Sequence, residues 1–272
     1  MVRILSFDTT NNCVSIALLE HDVLKAQRQF SQTGSERQES VTLLIPSIDE
    51  LLQSIDWQKN DIDLIVVGVG PGSFTGIRIG VVTARTLAQA LNLPLVGVSL
   101  FDCYAERFAP MHEMSPHVAI VLSGGRGHYF FAAYRNSLPW KQDLLIAPTH
   151  GNLEEMKSAL QDVNQWLADA STYPTISALP EPRKPVEELL PIENVAANQG
   201  VIAARRVSLS KSLTAQKVAS AEVSEDNKRD VKVGGLRQAL LEEFSYRSVE
   251  PLYLRGASVT LKGSDGKAAA TT

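Results

Sequence analysis

Apolar positions along the chain switch repeatedly between a period of two and a period near 3.6, which predicts a layered α/β protein. Residues 2–7 are an apolar run ending at Asp8-Thr9-Thr10. After the turn residues Asn11-Asn12 the chain returns as an apolar segment at 13–19, and after His21-Asp22 as a loosely alternating one at 23–30. This pattern predicts a three-strand meander with an acidic-hydroxyl corner after its first strand. Residues 31–40 are polar and predict a loop leading into a helix. Val41, Leu44, Ile45, Ile48, Leu51, Leu52 and Ile55 then share a helical arc of about 120°. Pro46 sits inside that pattern and predicts a kink, because it cannot donate to the carbonyl of Thr42.

The chain is organised around the stretch from Asp61 to Leu91. Residues 64–69 form a β-branched run with no polar break, as in a central parallel strand. Pro71-Gly72 predicts a tight turn, and Ser73 or Thr75 a helix cap. Such a junction can bind phosphate through its outward N–H groups and the helix dipole. It is not a P-loop, since no Gly-Lys-Ser/Thr ends it, and Gly68, Gly70 and Gly72 lack the spacing of a dinucleotide fingerprint. In the following helix Arg78, Val82, Arg85 and Gln89 share one narrow sector. The remaining apolar or small arc spans about 220°, where one-sided burial needs about 100°. Gly76, Gly80, Ala84 and Ala88 recur every fourth residue as a flat ridge. A helical glycine costs roughly 1 kcal/mol against alanine, so Gly80 predicts close approach of another backbone. Either both sides of this helix pack within the chain, or one packs on the sheet and the other on a partner protein.

Residues 94–98 read as another parallel strand and 100–108 as a helix, giving the order β-β-β-α-β-α-β-α. Residues 110–116 read as a hinge, after which the strand-turn-strand pattern recurs at 117–122 and 129–135 around Ser123-Gly124-Gly125-Arg126-Gly127. A strand at 144–147 and a helix at 153–160 complete what looks like a duplicated unit. Beyond Asp162 the pattern weakens. Residues 193–207 have helical composition, 208–232 read as a polar linker or insertion, and 236–244 as a short helix. Residues 249–255 form a final segment, and 256–272 predict a disordered tail.

The chain's 272 residues suffice for one large domain or two small ones, and its net charge of −4 argues against strong nucleic-acid binding by this chain alone. Two distant cysteines, Cys13 and Cys103, suit a reducing compartment, and the N-terminus runs straight into a strand with no signal-peptide pattern. No apolar run reaches membrane-spanning length, so the expectation is a cytoplasmic protein without membrane contact. His21, His112, His117, His128 and His150 form no helical ligand pair and no Cys or carboxylate cluster joins them, so no metal site is predicted. Asp8, Thr9 and Thr10 have two readings: an Asx-type turn, or a corner presenting a carboxylate and hydroxyls to a magnesium nucleotide. At the matching corner of the second half stands Ser123, with the backbone of Gly124 and Gly125 able to approach a phosphate.

Taken together, the meander, the Asp-Thr-Thr corner, the kinked helix and Gly70-Pro-Gly-Ser-Phe-Thr-Gly-Ile-Arg-Ile-Gly80 resemble the bacterial TsaB (YeaZ) family of tRNA threonylcarbamoyladenosine biosynthesis proteins. The match continues through 84–91 and 94–99, and Pro251-Leu-Tyr-Leu-Arg255 looks like the family's ending. The chain departs from the family at Ser123, where an Asp is usual. The resemblance implies an actin/Hsp70/sugar-kinase-like fold of duplicated ribonuclease-H-like lobes, at 1–109 and 110–255. It implies a non-catalytic scaffold that dimerises with the paralogue TsaD, helps recruit the ATPase TsaE, and meets tRNA only through that complex. The chain alone would bind no cofactor, ATP being used by the complex, and would homodimerise when isolated. The implied partner surface is Leu43, Ser73, Gly76, Ile79, Gly80, Thr83, Ala84 and Leu87. A vestigial nucleotide site would comprise Asp8, Thr9, Thr10, Gly124 and Gly125. The alternatives are a small-molecule kinase or ATPase of the same superfamily, and a glycoprotease-like peptidase.

Overall fold

A computed structural model of the chain describes residues 2–11, 13–31, 42–108, 117–135, 143–179, 186–220 and 240–252. Strands β1 (Arg3–Asp8), β2 (Cys13–Glu20), β3 (Val23–Ser31), β4 (Leu64–Gly68) and β5 (Leu95–Val98) form one sheet in the order β3-β2-β1-β4-β5. The first three strands are an antiparallel meander, and β4 and β5 add in parallel beside β1. Strands β6 (His117–Gly125), β7 (His128–Arg135), β8 (Asp143–Asn152), β9 (Gln165–Asp169) and β10 (Val186–Leu189) form a second sheet in the order β10-β9-β6-β7-β8. From its other edge this is the same arrangement: a meander with two parallel strands beyond its first strand. The duplicated ribonuclease-H-like architecture of the actin/Hsp70/sugar-kinase class is therefore the observed fold.

Helices α1 (Leu44–Gln53), α2 (Phe74–Leu91), α3 (Leu100–Phe108), α4 (Leu153–Ala159), α5 (Tyr173–Ser177) and α6 (Val195–Ser220) cover the sheets. Strand alternation sorts the side chains of the first sheet onto two faces. Leu5, Phe7, Ile16, Leu18, Ile65 and Val67 pack under Leu44 and Ile48 of α1 and Ile77, Val81 and Ala84 of α2. Ile4, Leu19, Leu64 and Val66 point the other way, into a core shared with Phe101 of α3, Ala196 and Ile202 of α6, and Ile120, Leu122 and Phe130 of the second sheet. The second sheet's far face packs Val121 and Phe131 against Met156 of α4 and Ile176 of α5. No helix among the described residues is long and apolar enough to cross a membrane.

The break expected near Pro46 falls at Leu43, a turn residue between helical Thr42 and the start of α1. Pro46 thereby sits in the first turn of α1, where a missing N–H leaves no helical bond unmade. Strands β9 and β10 escape sequence reasoning because they are five and four residues long, and β10 exposes Glu187 and Glu188. The linker expected at 208–232 is helical as far as Ser220, since α6 runs unbroken through it. Its lysines, glutamine, alanines and leucines are good helix formers without an apolar stripe, so propensity signals what periodicity does not. Residues 221–232, the hinge at 110–116 and the tail at 256–272 lie outside the described residues, and the helix expected at 236–244 is described only from residue 240.

Although α6 follows the second sheet in sequence, it packs across β1, β2 and β4 of the first. Gly200 permits that approach, because a Cβ there would stand 2.4 Å from Leu19 Cδ1. Arg205 and Arg206 of α6 pair with Glu106 and Asp102 of α3. The chain's later part returns to the first sheet once more. Leu95 N donates to the Phe244 carbonyl at 2.9 Å, and Leu252 N to the Val69 carbonyl at 2.9 Å.

Candidate functional site

The glycine turn and the Asp-Thr-Thr corner prove to be one packed unit. The Ser73 N–H donates to the Thr10 carbonyl at 2.6 Å, and the Thr9 hydroxyl donates to the Gly76 carbonyl at 2.7 Å. Ser73 caps α2 by accepting from the Gly76 N–H at 3.3 Å. Three glycines make this contact fit. A Cβ at Gly72 would lie 2.2 Å from the Thr10 carbonyl oxygen, one at Gly76 2.0 Å from the Thr9 carbonyl oxygen, and one at Gly80 2.4 Å from Thr9 Oγ1. Gly70, at φ +111°, makes the bend before it in a conformation only glycine adopts freely.

This packing corrects part of the sequence expectation. Gly76, Gly80 and Ala84 were expected on a partner surface, yet all three are buried. Gly76 and Gly80 close against Thr9 of the same chain, and Ala84 belongs to the core beneath α2. The approach expected at Gly80 is intramolecular and made by the Thr9 side chain, while it is Gly76 that a backbone atom, the Thr9 carbonyl oxygen, approaches. Ile79, Thr83 and Leu87 are half-buried along the helix flanks, and Ser73 is exposed at the cap. Leu43 is 49 % exposed, Ile45 40 % and Val82 63 %. These three apolar residues mark the outward side of the α1/α2 layer.

Asp8 is buried with its neighbours Thr9 and Thr10. Its Oδ1 accepts from the Thr10 N–H at 2.8 Å and the Thr10 hydroxyl at 2.7 Å, and its Oδ2 accepts from Gln199 Nε2 of α6 at 2.7 Å. The carboxylate also fills the space over Gly68, where a Cβ would fall 1.8 Å from Oδ2. Burial raises the Asp8 pKa above the ordinary carboxylate value, while the bonds from Thr10 and Gln199 pull it down. Gln199 is itself fully buried, and its Oε1 has no hydrogen-bond partner among the described residues. A magnesium nucleotide needs an accessible carboxylate; this one is enclosed by the chain's own threonine, glycine and glutamine. The Asp8 corner therefore does not fit that ligand in the conformation described.

Gly124 and Gly125 are the last residues of β6, before the turn at Arg126-Gly127, and belong to the other sheet from Asp8. A Cβ at Gly124 would meet the His128 carbonyl at 2.9 Å, and Gly125 takes a positive φ of 73°. The carboxylate that Ser123 lacks comes from the next parallel strand. Asp169 Oδ2 accepts from the Ser123 N–H at 2.6 Å, and its Oδ1 accepts from Ser171 N–H, Ser171 Oγ and Thr172 N–H at 3.0, 2.7 and 2.9 Å. Asp169-Ala170-Ser171 thus repeats the Asx turn of Asp8-Thr9-Thr10. That repeat was a sequence signal and went unread; Gln199 carried none, being 191 residues from its partner. Among the described residues no three His, Cys, Asp or Glu side chains gather as a metal site.

Comparison with known proteins matches residues 35–255 to the family model described as TsaD, tRNA N6-adenosine threonylcarbamoyltransferase. The chain is 40% identical over 134 residues to the tRNA threonylcarbamoyladenosine biosynthesis protein TsaB of Bacillus subtilis (strain 168), covering 49% of this chain and 56% of that protein. It is 29% identical over 134 residues to the TsaB protein of Escherichia coli (strain K12), covering 49% of this chain and 55% of that one. The aligned region thus spans about half the length of the curated relatives it matches. Among solved structures, YeaZ from Pseudomonas aeruginosa superposes with a TM-score of 0.60 at 21% identity, covering 78% of this chain and 94% of that one, a likeness of fold. With the duplicated topology and a family match over most of its length, the chain belongs to the TsaD-related family, in its TsaB/YeaZ branch.

Proposed function

We propose that this chain is a non-catalytic scaffold subunit in tRNA threonylcarbamoyladenosine biosynthesis. The outer face of α1 and α2 docks on a TsaD-like transferase, the pair recruits a TsaE-like ATPase, and tRNA is met only through the assembly. The observation that carries this reading is the exposure of Leu43, Ile45 and Val82 on one helical layer, while the small-residue ridge of α2 is occupied internally. Covering the apolar area these three residues expose against another protein would be favourable, in proportion to the area removed from water. The enclosed Asp8 carboxylate supports a scaffold over a kinase or ATPase, which would need it open.

Co-expression with the TsaD-like paralogue of the same genome, followed by sizing, tests the reading. A stable complex is expected. Leu43→Asp combined with Val82→Asp is expected to weaken it roughly a hundredfold, since buried apolar anchors dominate interface energy. The free double variant should melt with the wild type, because both side chains are exposed. A complex unaffected by the pair of substitutions would disprove the assigned face. Calorimetric titration of magnesium-ATP into the isolated chain is expected to give no binding heat; tight binding would favour the kinase alternative.

A further inference from the structure

Resting on the docking face proposed above, the inference concerns what the partner must bring to it. Helix α2 contains no Asp or Glu from Phe74 to Leu91. Its two cations, Arg78 and Arg85, stand seven residues apart, nearly two turns, which places them along one line about 10 Å apart. Val82 lies between them, shifted toward the middle of the outward face. Arg78 is exposed with its guanidinium 5.0 Å from the Phe74 ring centroid, and Arg85 is half-buried. Among the described residues neither arginine is in an ion pair. The neighbouring helix supplies no relief: Asp49 and Glu50 of α1 already pair with Lys59 and Arg28. On the outward side of α2 the two arginines thus form a cationic rim beside exposed Val82, and no carboxylate among the described residues pairs with it.

We infer that this rim selects an acidic partner helix, one presenting two carboxylates about two turns apart beside an apolar residue that meets Val82. A second copy of this chain fits poorly. It brings another α2 without a carboxylate, and like charges brought together at an interface are repelled. The rim therefore favours the heterologous complex over self-association through the same face. The two modes should respond to salt with opposite sign, because salt screens attraction in one and repulsion in the other.

The test is titration of the TsaD-like paralogue onto the whole chain at low and high salt, for the wild type, Arg78→Glu/Arg85→Glu and Val82→Asp. Wild-type affinity is expected to fall several-fold as salt rises. The double charge reversal should weaken binding at least tenfold at low salt and reverse the sign of the salt dependence, since it sets carboxylates against carboxylates, with its thermal melt unchanged. Self-association of the isolated wild type should strengthen with salt. A double reversal that binds within twofold of wild type, or keeps its salt dependence, overturns the charge inference while Val82→Asp still abolishes binding. If Val82→Asp also binds normally, the docking face itself is misassigned and both proposals fall.

Discussion

Gly76→Ala is expected to destabilise the protein by about 3 kcal/mol, a cost at the upper end of overpacking effects. The added methyl would sit 2.0 Å from the Thr9 carbonyl oxygen, a backbone atom that cannot swing aside. Moving it disturbs the Thr9–Gly76 hydrogen bond and pushes the Asp8 corner against Gly68 and Gln199. The usual gain of about 1 kcal/mol from replacing a helical glycine by alanine is too small to offset this. Thermal unfolding should show a fall in Tm of roughly 6–12 °C for a chain of this size. Gly80→Leu belongs to the same class, since a Cβ there already stands 2.4 Å from Thr9 Oγ1. Its expected defect is in folding, so it cannot serve as a clean interface variant. An unchanged Tm for Gly76→Ala would show that the corner and helix do not meet as described.

Asp8→Asn is expected to do the opposite and stabilise the protein at neutral pH by about 1–2 kcal/mol. The substituted side chain's oxygen keeps both Thr10 donors, and the Gln199 amide turns over so that its oxygen accepts from the new amide, at the loss of the long 3.4 Å bond from Gln199 Nε2 to the Val98 carbonyl. The short bonds to Thr10 and Gln199 survive and the buried charge is gone. Burial raises the Asp8 pKa above its ordinary 3.8, so the folded state holds this proton more tightly than the unfolded state does. Its favourable contribution is complete below pH 3.8 and is lost as pH rises through the raised folded value. The advantage of Asp8→Asn should therefore be absent below that ordinary value, grow as pH rises through the raised folded value, and level off above it. Melting curves of the two proteins across the acid range check this; a less stable variant at pH 7 would mean the charge is compensated by something beyond Thr10 and Gln199.

The first sheet could be read from the sequence because each of its strands is a dense apolar run closed by turn residues, and α2 because its period extends over eighteen residues. The second sheet was readable only as far as α4. Strands β9 and β10 are too short and too polar at the edge for periodicity to mark, and they pair in parallel with strands distant in sequence. The α2 ridge shows the limit of a helical wheel. The small residues Gly76 and Gly80 do mark a close approach, but a wheel does not say what approaches: a carbonyl oxygen at Gly76 and a hydroxyl at Gly80. Both come from the loop after β1, some 67 residues earlier, rather than from another protein. Asp8 likewise was singled out as a corner, whereas the glutamine enclosing it comes from a helix that crosses back over the first sheet. Long-range closure of this kind leaves no local pattern. What remains of the expected partner surface after this correction is narrower and further out, at Leu43, Ser73, Ile79, Thr83 and Leu87, with Ile45 and Val82 added.

The central claim, that the chain acts through its outer helical face and not through the Asp8 corner, meets its most direct test in the threonylcarbamoyladenosine content of tRNA. Cells lacking the native gene would be complemented with Asp8→Asn or with Leu43→Asp/Val82→Asp, and the modified nucleoside quantified by mass spectrometry. Asp8→Asn is expected to restore the wild-type level, and Leu43→Asp/Val82→Asp to leave tRNA unmodified while accumulating as folded protein. Loss of the modification with Asp8→Asn, or full modification with Leu43→Asp/Val82→Asp, would contradict the account.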